Sequence, residues 1–249
     1  WPQSEVGFIM LGQIYSSQGD TEQAIKNLSK AVELKPNDHE LNLLLGTNLI
    51  QNDDFDAAIA SFEQALKIKP DYAEAYSNMG IALKDQGKLE EAIEAYNKAV
   101  TIKPDFAQAY NNMGLALTDQ DQMKEAIAAY NKALAINPNY ASAWNNLGLA
   151  FARQDKLEEA IEAYRKALSL KSDCGEAYNN MGNALKDQGK LEESIDAYNK
   201  SLSIKPDYAH AYNNMGCTLR DQGNLKEAIE AFNKALTIKP DVAEVYSNM

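Results

Sequence analysis

At 249 residues the chain is long enough for two ordinary domains, and it carries a net charge of −12. That charge argues against a nucleic-acid groove or an anionic membrane surface as the main partner, because both call for a basic face. The sequence has no signal-peptide pattern and no apolar run of about 18 residues, so neither export nor membrane insertion is expected, and a cytoplasmic location is.

All seven prolines (Pro2, Pro36, Pro70, Pro104, Pro138, Pro206 and Pro240) lie on one grid with a step of 34 residues, whose single empty slot is Ser172. Proline lacks a backbone N–H and clashes with the preceding helical turn, so the grid marks corners between helices. Seven full units follow: 5–38, 39–72, 73–106, 107–140, 141–174, 175–208 and 209–242. Residues 1–4 are the tail of an earlier unit and 243–249 begin a later one, so 1–249 reads as one repeat array.

Each unit predicts two helices. Helix A spans about positions 1–14 and opens on an apparent capping box: Asp71 with Glu74, Asp105 with Gln108, Asp173 with Glu176, Asp241 with Glu244. It closes at position 15 on Gly19, Asp53, Gly87, Asp121, Asp155, Gly189 or Gly223, residues that tolerate the left-handed backbone of a helix end. Helix B carries one 3.6-period stripe, as in Leu89, Ala92, Ile93, Tyr96, Ala99 and Val100. Position 8 is always glycine, positions 20 and 27 are always Ala or Ser, and position 24 is large (Leu28, Phe62, Tyr96, Tyr130, Tyr164, Tyr198, Phe232). Such pairs of small and large residues mark close helix contacts. The fold class is all-α, an α-solenoid of stacked helix-turn-helix units.

Along the chain, the first two units stand apart. Ile9, Met10, Leu43 and Leu44 make positions 5 and 6 apolar, and Asn42 replaces the usual aromatic at position 4. Two readings stay open: an apolar patch that a partner covers, or a local helix rotation that buries these residues and turns Asn42 outward. From the third unit, position 6 is asparagine without a break (Asn78, Asn112, Asn146, Asn180, Asn214, Asn248), and position 5 often doubles it (Asn111, Asn145, Asn179, Asn213). Ile81, Leu115 and Leu149 at position 9 continue a thinner apolar line, suited to side chains of a bound segment. At Ser172 the corner is expected to loosen locally without breaking the stack. The chain stops within a helix A, leaving Tyr246 and Met249 without a following helix, as in a piece of a longer protein or an end open to stacking.

The run Tyr76, Met79, Gly80, Leu83, Ala92, Tyr96, Ala99, Pro104 resembles the tetratricopeptide repeat pattern, and the resemblance recurs over essentially the whole chain. It implies a right-handed superhelix whose helices A line a concave groove. The asparagine row is similar to that of the repeat arrays of O-linked N-acetylglucosamine transferases. There the position-6 asparagines hold peptide backbone, and by that resemblance Asn78, Asn112, Asn146, Asn180, Asn214 and Asn248 would do so here. An amide both donates and accepts, which suits peptide backbone of any sequence. The alternative is inherited helix surface: Asn97, Asn131, Asn199 and Asn233 repeat on helix B, and units 73–106 and 175–208 share 25 of 34 residues. The lysine–arginine carboxylate clamp of chaperone adaptors in this family is missing from positions 2, 5 and 6.

No enzyme pattern emerges. His39 and His210 lie five units apart with no ligand-spaced neighbour, Cys174 and Cys217 are too remote for a disulfide, and each glycine is explained by the repeat. No metal site or cofactor is expected. The sequence points to a non-catalytic scaffold for an extended protein or peptide ligand. A substrate-presenting arm of a larger enzyme and a solenoid stacking end to end are the alternatives, with a designed consensus array a minor fourth.

Overall fold

The computed structural model describes residues 4–240 and 243–248, and every described element is an α-helix. Pro2, Met249 and the Asp241–Glu244 capping pair lie outside the described residues and side chains. Two compact units are present, Trp1–Ile136 and Asn137–Met249. In the first, helices A are α1 (Glu5–Ser17), α3 (His39–Gln51), α5 (Ala73–Asp85) and α7 (Ala107–Asp119). They alternate with helices B, α2 (Thr21–Leu34), α4 (Phe55–Ile68), α6 (Leu89–Ile102) and α8 (Met123–Ile136). In the second, α9 (Ala141–Arg153), α11 (Gly175–Asp187), α13 (Ala209–Asp221) and the short α15 (Ala243–Asn248) alternate with α10 (Leu157–Leu170), α12 (Leu191–Ile204) and α14 (Leu225–Ile238). Within each unit every helix packs on its neighbour in sequence, and helices A from α3 to α7 and from α9 to α15 also touch in succession, as in a repeat solenoid.

The packing is set where the repeat is least variable. Alanines at positions 20 and 27, such as Ala58, Ala65, Ala92 and Ala99, have no exposed surface, and Phe62, Tyr96 and Tyr198 are equally enclosed. A Cβ added at any position-8 glycine, from Gly12 to Gly216, would lie 2.5–2.7 Å from the position-24 side chain of the same repeat. The glycine is therefore the seat of that ring, and its cost in helix propensity is offset by the close approach. Where serine replaces alanine it is satisfied: Ser194 donates to the carbonyl of Gly182 (2.8 Å), and Ser201 to that of Gly175 (2.7 Å).

Helix A ends where expected. All seven position-15 residues have positive φ, from 57° at Asp53 to 87° at Gly223. The Ser172 corner keeps the architecture: residues 171–174 join α10 to α11 with the same span that residues 103–106 use between α6 and α7, and the two helices pack together.

Helix starts differ from expectation. Asp71, Asp105 and Asp173 do not cap, because α5, α7 and α11 begin one residue later, with Tyr72, Phe106 and Cys174 at the N-cap and no side-chain bond there. Glu74 and Glu176 instead face Lys103 (2.8 Å) and Lys205 (3.6 Å), the C-cap residues of helix B in their own repeats. The aromatic N-caps accept a lysine on the ring face, Lys69 on Tyr72 and Lys103 on Phe106, both at 4.7 Å. Side-chain caps do occur, at Ser4, Asp20, Asp38 and Asp54, which open α1 to α4.

Candidate functional site

The helix-A face is built outward from that glycine–aromatic contact. Position 4 comes first: Tyr76 and Tyr110 in the first unit and Tyr178 and Tyr212 in the second each lie under a lysine ammonium from helix B at 5.4–5.9 Å. Asn42 does not turn outward. It is buried, and its Nδ2 donates to the carbonyls of Asp38 (2.7 Å) and Pro36 (3.3 Å). The bond to Pro36 matches the one that Trp144 Nε1 makes to Pro138 (2.9 Å) in the second unit, so the amide substitutes for the ring by holding the same corner carbonyl.

Positions 5 and 6 divide their work. Asn111, Asn179 and Asn213 are buried, as is Ser77 in the same place, whereas Asn145 is half-buried. All six position-6 asparagines, Asn78 and Asn112 in the first unit and Asn146, Asn180, Asn214 and Asn248 in the second, are half-buried. The two rows are joined across repeats. Asn214 Nδ2 donates to Asn179 Oδ1, and Asn248 Nδ2 to Asn213 Oδ1, both at 3.1 Å. Within a repeat, Asn111 Nδ2 donates to Asn112 Oδ1 (3.3 Å) and Asn179 Nδ2 reaches Asn180 Oδ1 at 3.5 Å. The rung at Asn145 is open, its Oδ1 buried without a partner. Asn78, with no asparagine before it, donates to Thr47 Oγ1 instead (3.2 Å). The helix-B asparagines Asn97, Asn131, Asn199 and Asn233 are exposed.

In the first two repeats the same face is apolar and indented. A depression of about 360 Å³ has Leu41 as a buried floor, Ile9, Leu43 and Leu44 as half-buried aliphatic walls, and a polar rim of Gln13, Asp38, Glu40, Thr47 and Tyr72. Met10, expected in this patch, is 57% exposed and lies outside the lining. Ile81, Leu115 and Leu149 are half-buried. In the second unit a polar depression, also about 360 Å³, is lined by Asn213, Asn214, Asn248, Asn183 and Arg220, over Tyr198. Tyr198 Oη donates to Asn183 Oδ1 (2.7 Å), and burial pushes its pKa up to about 12. The roles of Thr47 and Asn183 were not anticipated; both stand at position 9, one helical turn beyond the asparagine row.

The remaining chemistry-bearing residues are dispersed within their units. His39 lies edge-on to Tyr72 and His210 to Tyr208. Cys174 and Cys217 are not joined in a disulfide. Among the described residues no cluster of His, Cys, Asp and Glu is gathered that could hold a metal ion, and no helix is long and apolar enough to cross a membrane.

Comparison with known proteins places this architecture. The family model for the cilia and flagella-associated protein 70 C-terminal domain, a tetratricopeptide repeat model, matches residues 55–246, and a second tetratricopeptide repeat model matches residues 9–73. The chain belongs to the tetratricopeptide repeat family. Its tetratricopeptide units are similar to those of YrrB, described as a tetratricopeptide repeat protein with an unusual peptide-binding site. Identity to YrrB is 26% over 75% of this chain and 96% of YrrB, with a TM-score of 0.62. A tetratricopeptide repeat protein from Parabacteroides merdae shares the fold at 18% identity, over 99% of this chain and 97% of its own, with a TM-score of 0.74. So does pilF of Pseudomonas aeruginosa, at 20% identity over 84% and 95%, with a TM-score of 0.74. No curated protein matches the sequence. The repeats thus form a scaffold of the type suited to protein–protein interaction.

Proposed function

We propose that the array binds an extended polypeptide segment along its helix-A face, with the position-6 asparagines contacting the ligand main chain and the position-5 asparagines bracing them. The observation that carries this reading is the cross-repeat bonding of Asn214 to Asn179 and of Asn248 to Asn213. An amide has two donor hydrogens and two acceptor sites, so one bracing bond orients the group and leaves capacity for a ligand. Half-burial keeps that capacity within reach, and a side chain already ordered loses little entropy on binding. No chemistry on the ligand is assigned to the array. The similarity to YrrB, a tetratricopeptide repeat protein described as having an unusual peptide-binding site, supports this reading.

The test starts from a random peptide library displayed on phage and selected on the protein. Replacing Asn112, Asn146, Asn180 and Asn214 together by alanine should weaken the selected peptides at least about tenfold, each lost hydrogen bond contributing roughly 0.5–1.5 kcal/mol. Helicity should hold, since alanine is the better helix former. Unchanged affinity contradicts the reading.

A further inference from the structure

The apolar depression in the first two repeats deepens the peptide-binding reading, on which this inference rests. Its walls break the asparagine pattern at the very positions that carry it elsewhere: Ile9 and Leu43 at position 5, Leu44 at position 6. About 360 Å³ is at the small end of ligand clefts, roughly 300–1,000 Å³, and gives room for a whole aliphatic side chain. Thr47 belongs both to the lining and to the amide row, because its Oγ1 accepts from Asn78 Nδ2. A main chain running over Asn112 and Asn78 therefore arrives at this wall with a side chain to place.

The charges around the depression indicate what stands next to that side chain. Asp38 caps α3 and pairs with Lys35 (2.8 Å), which also reaches Glu5 (3.4 Å). Glu74 pairs with Lys103, and Lys69 lies over the Tyr72 ring. Four carboxylates (Glu5, Asp38, Glu40, Glu74) thus face three ammonium groups, and Glu40 is exposed at the rim with no ion pair among the described residues. The Tyr72 hydroxyl reports the same field. Its proton is held above the usual range first by burial and then by Glu40, Glu74 and Asp38. Asp38 itself is held below the usual range, mainly by Lys35, so it is already committed and Glu40 is the carboxylate left for a ligand.

We propose that this depression is a specificity pocket: it takes an aliphatic side chain of the bound peptide, with a lysine or arginine beside it meeting Glu40. The amide row accepts any sequence, and the pocket sets where along a sequence the array docks.

The displayed-peptide selection tests this directly. Enriched peptides should share Leu, Ile, Val or Met next to Lys or Arg. Leu44→Asn, which installs the residue carried by the later repeats, should weaken them about tenfold, in keeping with loss of one buried aliphatic contact. Glu40→Lys, on an exposed side chain, should weaken them about threefold and lose that effect at high salt. Both variants should keep the wild-type circular dichroism; Glu40→Lys should leave the melting temperature near wild type, and Leu44→Asn should lower it modestly because Leu44 also packs on the core. Enriched peptides without that pair, or unchanged affinity in both variants, overturn the pocket while leaving the groove reading standing if the asparagine variant still weakens binding. Recovery of no peptide at all overturns both. A mass that rises with protein concentration and is restored to the monomer by Leu44→Asn also overturns it, by making a second copy the occupant.

Discussion

Two depressions of about the same volume, one in each compact unit, share positions 5, 6 and 9 of the repeat in their linings and differ in chemistry at positions 5 and 6. In the first, positions 5 and 6 are Ile9, Leu43 and Leu44; in the second they are Asn213, Asn214 and Asn248, with Arg220 beside them. The scaffold beneath is alike in both, a position-8 glycine seated on the position-24 side chain and a small buried residue, alanine or serine, at positions 20 and 27. The lesson is a separation of duties. Positions 8, 20, 24 and 27 hold the helices together, while positions 5, 6 and 9 can change from apolar to amide without disturbing them. Local contacts make this workable, because each repeat of a solenoid answers only to its neighbours.

If that separation holds, core changes should cost alike in both regions. Phe62→Ala and Phe232→Ala each empty a site with 0–2% exposure and should each lower stability by about 3–5 kcal/mol in urea unfolding. Gly46→Ala and Gly216→Ala, which press a methyl into those rings, should each cost about 1–3 kcal/mol. A large cost in one region and none in the other breaks the comparison.

A smaller effect separates the two asparagine rows. Asn179→Ala removes the acceptor of Asn214 and should cost about 1 kcal/mol, whereas Asn199→Ala, on the exposed face of helix B, should gain roughly half a kcal/mol from helix propensity alone. Equal effects in thermal melts would mean that the helix-A amides brace nothing.

The smallest effects lie in the tyrosine hydroxyls. Tyr96 Oη is buried without a partner, while Tyr198 Oη is bonded to Asn183. Tyr96→Phe, the residue that Phe62 and Phe232 already supply, should be neutral or stabilising, and Tyr198→Phe should lose about 0.5–1.5 kcal/mol. Tyr198 also sets a pH window. Its pKa is raised from 10.0 to about 12 by burial, so the neutral form is the one the fold favours. Its contribution is complete below pH 10 and is lost as pH rises from there through about 12, which tyrosinate absorbance followed alongside helicity will show.

Much of this was legible in the sequence, and the failures have physical causes. Pro104 and its counterparts, with Gly87 and Asp121, mark helix ends because their backbone limits are intrinsic to the residue. Asp71–Glu74 misled because a capping box is a matter of one-residue register, and Tyr72 takes the N-cap by placing its ring under Lys69. One of the two open readings of the first repeats turned Asn42 out to solvent. Its inward bonds to Asp38 and Pro36 depend on corner carbonyls that only the folded chain brings within reach. The bracing of Asn214 by Asn179 spans 35 residues and depends on side-chain direction, so a list of asparagines could show the row but not its bonds. For the same reason Thr47 and Asn183 went unremarked at position 9, although their departure from the aliphatic residues there (Ile81, Leu115, Leu149) was in plain view.

On the proposed reading, the helix-A amides meet the ligand and the helix-B amides do not. The most direct measurement is NMR of the asparagine side-chain NH₂ groups while a selected peptide is titrated in. Shifts confined to Asn78, Asn112, Asn146, Asn180, Asn214 and Asn248 are the predicted result, with Asn97, Asn131, Asn199 and Asn233 unmoved. A peptide that binds while shifting the helix-B signals, or neither set, would contradict the account.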